Sequence, residues 1–231
     1  NVCKDKKVFI VGDLHGTFEE FQELLVKSKY NEKEDIIIFT GDLVDRGHKI
    51  DQALNYLRSN NNAFSVMGNH EYKFVRYLLG RKVHSQSLQK TIDQTAKFDK
   101  NKLIGLLMSM PFSIKFRENA YVVHGGINPT KPIQSQYKDE LFYTRNLTVD
   151  GVESPWWNSY YGEDEIYFGH QVTPDTIQVA DKVFAMDGGA CFGLELRCCI
   201  NYPDGNKEFF THKCETAYAD LFKYFGAEEH G

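Results

Sequence analysis

The stretch Gly41-Asp42-Leu43-Val44-Asp45-Arg46-Gly47 comes directly after the apolar run Ile36-Ile37-Ile38-Phe39 and a single Thr40. A short β-branched run that stops at glycine reads as a buried strand whose end opens into a tight turn. This turn carries two carboxylates and a guanidinium. Acids at the end of a buried strand are costly unless they are hydrogen-bonded or hold a cation. Asp42 is therefore expected to be a metal-bridging ligand and Arg46 an oxyanion clamp.

The same layout recurs on both sides. Val8-Phe9-Ile10-Val11 reads as a first strand running into Gly12-Asp13-Leu14-His15-Gly16, and Thr17 with Glu20 predicts a capping box for the helix behind it. After the central turn, Ile50, Ala53, Leu54 and Leu57 fall on one helical face. Ala63 to Met67 reads as a third strand ending in Gly68-Asn69-His70-Glu71, with a helix over Tyr72 to Leu79. Three βα units in succession argue for an α/β layered fold with its polar groups at the carboxyl ends of the strands.

The second half is more β-rich. Residues Ser85 to Met108 predict one or two amphipathic helices with a packing role only, stopped by Pro111. Phe112 to Phe116 and Tyr121 to His124 suggest a hairpin leading to Gly125-Gly126. Ile127 to Tyr161 reads as a long site-serving loop with a short helix near Asp139 to Thr144. Strands are expected over Ile166 to His170, Val183 to Asp187 and Leu194 to Ile200, and a capping helix over Ala217 to Phe225. Trp156, Trp157, Tyr160 and Tyr161 are expected to pack that loop down rather than to present a platform for a base.

The 231 residues suit one domain spanning 1–231, with 42% hydrophobic and 26% charged residues. A net charge of −5 argues against a broad nucleic-acid surface but leaves room for a small basic pocket. No run approaches the ~18 apolar residues of a membrane span. Cys3, Cys191, Cys198, Cys199 and Cys214 are odd in number and lack CxxC spacing, so reduced thiols in a cytoplasmic protein are expected. A monomer is the default.

Five apolar strands end in glycine beside a metal-competent group: Asp13 with His15, Asp42, Asn69 with His70, His124, and His170. One such histidine would mean little; the repetition points to a metal centre. Carboxylate, imidazole and amide oxygen without thiolate suit Mn, Fe or Zn better than a closed structural zinc site. Two cations about 3.5–4 Å apart, bridged by a carboxylate, can generate a hydroxide at neutral pH and stabilise both oxygens of an in-line phosphoryl displacement.

The motifs GDLHG at Gly12, GDLVDRG at Gly41, GNHE at Gly68, HGG at His124 and GH at Gly169 together resemble the signature set of the calcineurin-like metallophosphoesterases. The chain most resembles their phosphoprotein phosphatase branch, including its compact bacterial and phage members. The resemblance implies a layered β-sandwich core flanked by helices and two divalent or trivalent metal ions, with manganese first and iron or zinc as alternatives. It implies that Asp13, His15 and Asp42 hold one metal while Asp42, Asn69, His124 and His170 hold the other. It makes His70 the general acid, Asp45 its orienting partner, and Arg46 and Arg145 the phosphate ligands, in a hydrolysis by direct attack of a bridging hydroxide.

The implied substrate is a phosphoserine or phosphothreonine protein, with dinucleoside tetraphosphate hydrolysis as the alternative. Two departures bear on that choice. Met67 stands where protein phosphatases carry an arginine before GNHE, and Asp187 to Gly193 resembles the loop of bacterial phosphatases and tetraphosphatases.

Overall fold

The computed structural model describes residues 3–83 and 85–221. In chain order its elements are β1 (Val8–Val11), α1 (Phe18–Lys27), β2 (Ile36–Phe39), α2 (Ile50–Ser59), β3 (Ala63–Ser65), α3 (Asn69–Leu78), α4 (Leu88–Thr95) and α5 (Lys100–Met108). There follow β4 (Ser113–Arg117), β5 (Ala120–Val123), α6 (Lys138–Tyr143), β6 (Asn146–Val149), β7 (Val152–Pro155), β8 (Glu165–Phe168), β9 (Gln178–Ala180), β10 (Val183–Ala185), β11 (Glu195–Asn201) and β12 (Lys207–Lys213).

Two sheets of five strands form the core. The first runs β12-β11-β1-β2-β3, with β1, β2 and β3 parallel and β11 antiparallel to β1. The second runs β4-β5-β8-β10-β9, and its three central strands are parallel. The expected layered α/β sandwich is therefore what the chain forms, because β1 and β2 are apolar on both faces. Val8, Ile10, Ile36 and Ile38 turn inward to meet Val122, Tyr167, Phe184 and Met186 of the second sheet. Phe9, Val11, Ile37 and Phe39 turn outward under α1, α2 and α3, against Phe21, Leu24, Leu54 and Phe74. The second sheet's outer face is covered by the 127–161 segment, where Ile133, Leu141, Trp156 and Trp157 pack on Val123, Ile166 and Phe168.

Several expectations shift in detail. The capping box at Thr17 does not form; its hydroxyl donates instead to the Leu14 carbonyl at 2.6 Å. The helix after GNHE starts earlier, at Asn69, so two site residues occupy its first turn. The long loop contains the β6–β7 hairpin as well as α6, and β9 and β12 are strands without a clear sequence signal because their exposed faces leave little apolar pattern. Trp156 is fully buried and Trp157 nearly so, as the packing expectation required, whereas Tyr161 is exposed. The expected helix over Ala217 to Phe225 falls partly outside the described residues, and Ala217 itself makes a β-bridge with Phe192. All five cysteines are free, and all but Cys3 are buried. No helix among the described residues is long and apolar enough to cross a membrane.

Parallel pairing puts the carboxyl ends of β1, β2 and β3 on one edge, and those of β5, β8 and β10 beside it. The two sheets touch closely there: a Cβ at Gly12 would lie 1.8 Å from the Met186 carbonyl oxygen. Gly12→Ala is expected to cost about 1–3 kcal/mol or more through overpacking. Gly105→Ala, in open space on the solvent-facing side of α5, is expected to gain about 0.5–1 kcal/mol. Urea unfolding of the two variants checks both signs.

Candidate metal centre

The turns that end the strands are backbone-strained at the positions of interest. His15, Asp42, Asp45, Arg46 and His170 all have positive φ, between 44° and 71°. Left-handed backbone is uncommon for residues with a Cβ and persists only where surrounding contacts enforce it. The enforcing contacts are visible. His15 N–H donates to the Asp42 carbonyl at 2.7 Å and Gly16 N–H to that of Leu43 at 3.0 Å, tying the first turn to the second. The Glu71 carboxylate, fully buried, accepts the N–H groups of Leu43 and Asp42 at 2.8 Å, Gly68 at 3.0 Å and Val44 at 3.1 Å. One side chain thus ties the second turn to the third, and Gly68 must be glycine because a Cβ would sit 2.2 Å from Asp42 Oδ1.

Asp42 Oδ2 is the hub of the pocket. His15 Nε2 and His124 Nε2 each lie 3.5 Å from it, and His70 Nε2 lies 3.8 Å away. His15 Nδ1 is 2.7 Å from the Val44 carbonyl and His124 Nδ1 is 2.8 Å from that of Thr40. A carbonyl can only accept, so Nδ1 carries the proton in both rings and Nε2 presents a lone pair. Lone pairs facing a carboxylate oxygen repel unless positive charge lies among them, which is the electrostatic signature of a cation site. Arg46 Nη1, donating to His15 Nε2 at 2.6 Å, supplies part of that charge. Burial lowers the imidazole pKa of His15, His124 and His170, which keeps them neutral and able to ligate. Burial by itself would raise the pKa of Asp42, so its ionised form depends on positive charge among the groups around it.

Two sets of donors converge closely enough to share an ion: His15, Asp42 and His70, and Asp42, His124 and His170. Asp42 belongs to both. Asn69 adds an amide oxygen 2.9 Å from His124 Nε2. Asp13 lines the same small cavity but stands outside both sets, its oxygens taken by the Thr40 hydroxyl at 2.7 Å and His170 N–H at 2.8 Å. Burial, with Asp187 and Asp42 nearby, pushes its pKa well up. The donor set is oxygen and imidazole nitrogen without thiolate, so it fits a borderline divalent or trivalent cation.

His70 is held by its other nitrogen. Its Nδ1 is 2.6 Å from Asp45 Oδ2, which also takes Lys73 Nζ at 2.6 Å and the Ser87 hydroxyl at 3.0 Å. Thr91 donates to Asp45 Oδ1 at 2.5 Å and accepts Asp45 N–H at 2.9 Å. Ser87 and Thr91 belong to the segment expected only to pack, and that expectation is corrected: the start of α4 is what fixes Asp45. Lys73 and Glu71 also went without a role in the sequence reading, although both lie on the helix begun by GNHE. Arg46 spreads over the Phe192 ring at 5.1 Å and approaches His70 Nε2 at 3.4 Å. Arg145 lines the same cavity and donates to the His170 carbonyl at 3.3 Å. Asp187, whose pKa burial raises, stands close by at the end of β10. Met67, at the position before GNHE, is buried in the core and its N–H donates to the Pro111 carbonyl at 2.8 Å.

The sequence profile of the calcineurin-like phosphoesterases matches residues 6–200. The chain belongs to this family. Its members are metal-dependent phosphoester hydrolases with a dinuclear metal site. An asymmetrical bis(5'-nucleosyl)-tetraphosphatase of Bacillus mycoides is 29% identical over 226 residues, covering 86% of this chain and 91% of its own length. A symmetrical bis(5'-nucleosyl)-tetraphosphatase of Actinobacillus pleuropneumoniae is 37% identical over 123 residues, 52% of this chain and 45% of its own length. The chain thus spans less than half of the symmetrical relatives it matches. The crystal structure of a candidate diadenosine tetraphosphatase superposes with a TM-score of 0.75 at 24% identity, covering 92% of this chain and 95% of that one. A serine/threonine phosphatase of Saccharomyces cerevisiae superposes at 0.68 and 16% identity, covering 92% of this chain and 81% of its own. At such identities the structural likeness establishes the fold.

Glu71→Gln sets an NH₂ group against the N–H donors that the carboxylate now accepts. It is expected to cost about 1–3 kcal/mol of stability and to weaken Mn²⁺ binding about 10–100-fold. Urea unfolding and titration calorimetry of the metal-stripped protein measure the two; undiminished metal affinity would mean the turns hold their shape without it.

Proposed function

We propose that this chain is a metal-dependent hydrolase of dinucleoside tetraphosphates, which displaces the phosphoprotein phosphatase reading that the sequence motifs first suggested. The observation that carries the hydrolase reading is the convergence of His15, His124 and His70 Nε2 on Asp42 Oδ2 beside two arginines in one cavity. The substrate class is supported by the named relatives, above all the Bacillus mycoides tetraphosphatase, whose likeness extends along nine tenths of its length. Met67 in place of arginine and the Asp187 to Gly193 loop agree with that choice.

In this reading Asp13, His15 and Asp42 would hold one cation, and Asp42, Asn69, His124 and His170 a second, with manganese first and iron or zinc as alternatives. When bound, such ions neutralise phosphoryl oxygens and acidify water. The protein's own groups do the rest. Arg46, its guanidinium backed by Phe192, and Arg145 grip the non-bridging oxygens, where a planar fork orients better than an ammonium. His70 has its Nδ1 proton held by Asp45, so the proton it delivers to the leaving oxygen sits on Nε2. Lys73, Ser87 and Thr91 keep Asp45, and through it the ring, in place.

Metal-stripped protein restored with Mn²⁺ is expected to cleave diadenosine tetraphosphate far faster than a phosphothreonine peptide. The reverse preference would return the chain to the protein phosphatases. Asp42→Asn is expected to abolish turnover, and His70→Asn to lower kcat about 10²–10⁴-fold while leaving Mn²⁺ bound, as read by calorimetry.

A further inference from the structure

The cavity formed by Asp13, His15, Asp42, Arg46 and their neighbours has a volume of about 50 Å³, room for a phosphoryl group and little more. A dinucleotide must therefore lie mostly outside it. A groove of about 600 Å³ opens from the same Asn69 that lines the small cavity. Its walls are Tyr72, Lys73 and Arg76 along α3, Lys82 beyond the helix, and Tyr143 at the end of α6. Among the described residues, none of those lining it is acidic, in a chain whose net charge is −5.

The two tyrosines are placed differently. Tyr72 is braced, packed on the Phe142 ring at 5.3 Å and taking a hydrogen bond from Lys138 Nζ at 2.8 Å. Tyr143 is 52% exposed, and its ring packs edge-on with Phe142 at 5.8 Å and lies 6.3 Å from that of His170, so it stands beside the metal pocket. Lys73 is engaged with Asp45, whereas Arg76 and Lys82 reach into solvent along the groove. The cleft of about 590 Å³ beside α1 and β12 is an unsuitable rival, since Glu19, Glu20, Glu23 and Glu215 line it.

We propose that this groove is the subsite for one arm of the substrate, with Arg76 and Lys82 pairing to phosphates beyond the scissile one and the Tyr143 ring stacking on the nucleobase. The assignment rests on the dinucleotide reading above. It places base recognition on an exposed aromatic side chain and leaves the buried Trp156 and Trp157 to packing. Cations spaced along a groove suit a polyphosphate that stays multiply anionic, and aromatic stacking is tolerant of which base is offered.

The test compares wild type with Arg76→Ala/Lys82→Ala and with Tyr143→Ala, using Mn²⁺-loaded enzyme on diadenosine tetraphosphate and on p-nitrophenyl phosphate. The ratio of kcat/KM for the dinucleotide over the aryl phosphate is expected to fall at least about tenfold in the double variant and at least about fivefold in Tyr143→Ala, mainly through KM. Tyr143→Phe is expected to restore it. A wild-type ratio in the variants, with wild type active on the dinucleotide, overturns the subsite and leaves the proposed function standing. Should wild type not cleave the dinucleotide, that function fails, and competitive inhibition of p-nitrophenyl phosphate hydrolysis by adenosine tetraphosphate decides the groove. A tenfold weaker inhibition in the double variant supports it, and an unchanged inhibition constant overturns it.

Discussion

The Glu71 carboxylate, accepting four backbone N–H groups from the turns after β2 and β3, is the interaction on which the site's geometry depends. Asp42 sits in a left-handed conformation that a residue with a side chain rarely takes. Without an acceptor buried beneath them, the N–H groups of residues 42–44 would have to find partners elsewhere, and the turn would relax. A carboxylate there is itself costly. Burial and the nearby Asp42 charge push its pKa up, to about 8, against the donated hydrogen bonds that favour its anion. The protein therefore places two carboxyl groups close together in a dry interior, an arrangement that cations at the neighbouring imidazoles would relieve.

That electrostatic tension also explains the fixed histidine tautomers. The Val44 and Thr40 carbonyls belong to the turns that Glu71 and the β1–β2 pairing hold in place. They hold Nδ1–H of His15 and His124, which commits both Nε2 atoms to the pocket. His170 is positioned through its backbone, whose N–H meets Asp13, and Asp13 is held in turn by Thr40. The site is thus a lattice of turn-to-turn hydrogen bonds whose inward-facing atoms are acceptors. Its only closely engaged cationic partner at His15 Nε2, among the described residues, is Arg46.

Around this centre the chain divides its surfaces by chemistry. The helical segment after α3 fixes Asp45, and through it the His70 ring, by way of Ser87 and Thr91, and the 127–161 segment covers the second sheet with Trp156 and Trp157 while Arg145 lines the small cavity and Tyr143 the groove beside it. The groove between them is basic and aromatic, and the cleft beside α1 is acidic. The electrostatic field beside the small cavity is accordingly asymmetric, positive on the groove side.

The sequence by itself determined the α/β layering and the placement of the polar residues. Short apolar, β-branched runs such as Val8–Val11 and Ile36–Phe39, each stopped by a glycine turn, read as buried strands, and parallel pairing then brings the Asp, Asn and His residues that follow them to the same edge. It did not reveal β9 or β12, because exposed strands lack apolar periodicity. Nor did it reveal the roles of Glu71, Lys73, Ser87 and Thr91, since each acts on a residue more than twenty positions away. Which ring nitrogen faces the pocket, which aromatic keeps an open face, and which cations line the exit were decided by tertiary packing. Those properties depend on the distance and direction between atoms from separate elements, and a local pattern of residue types carries neither.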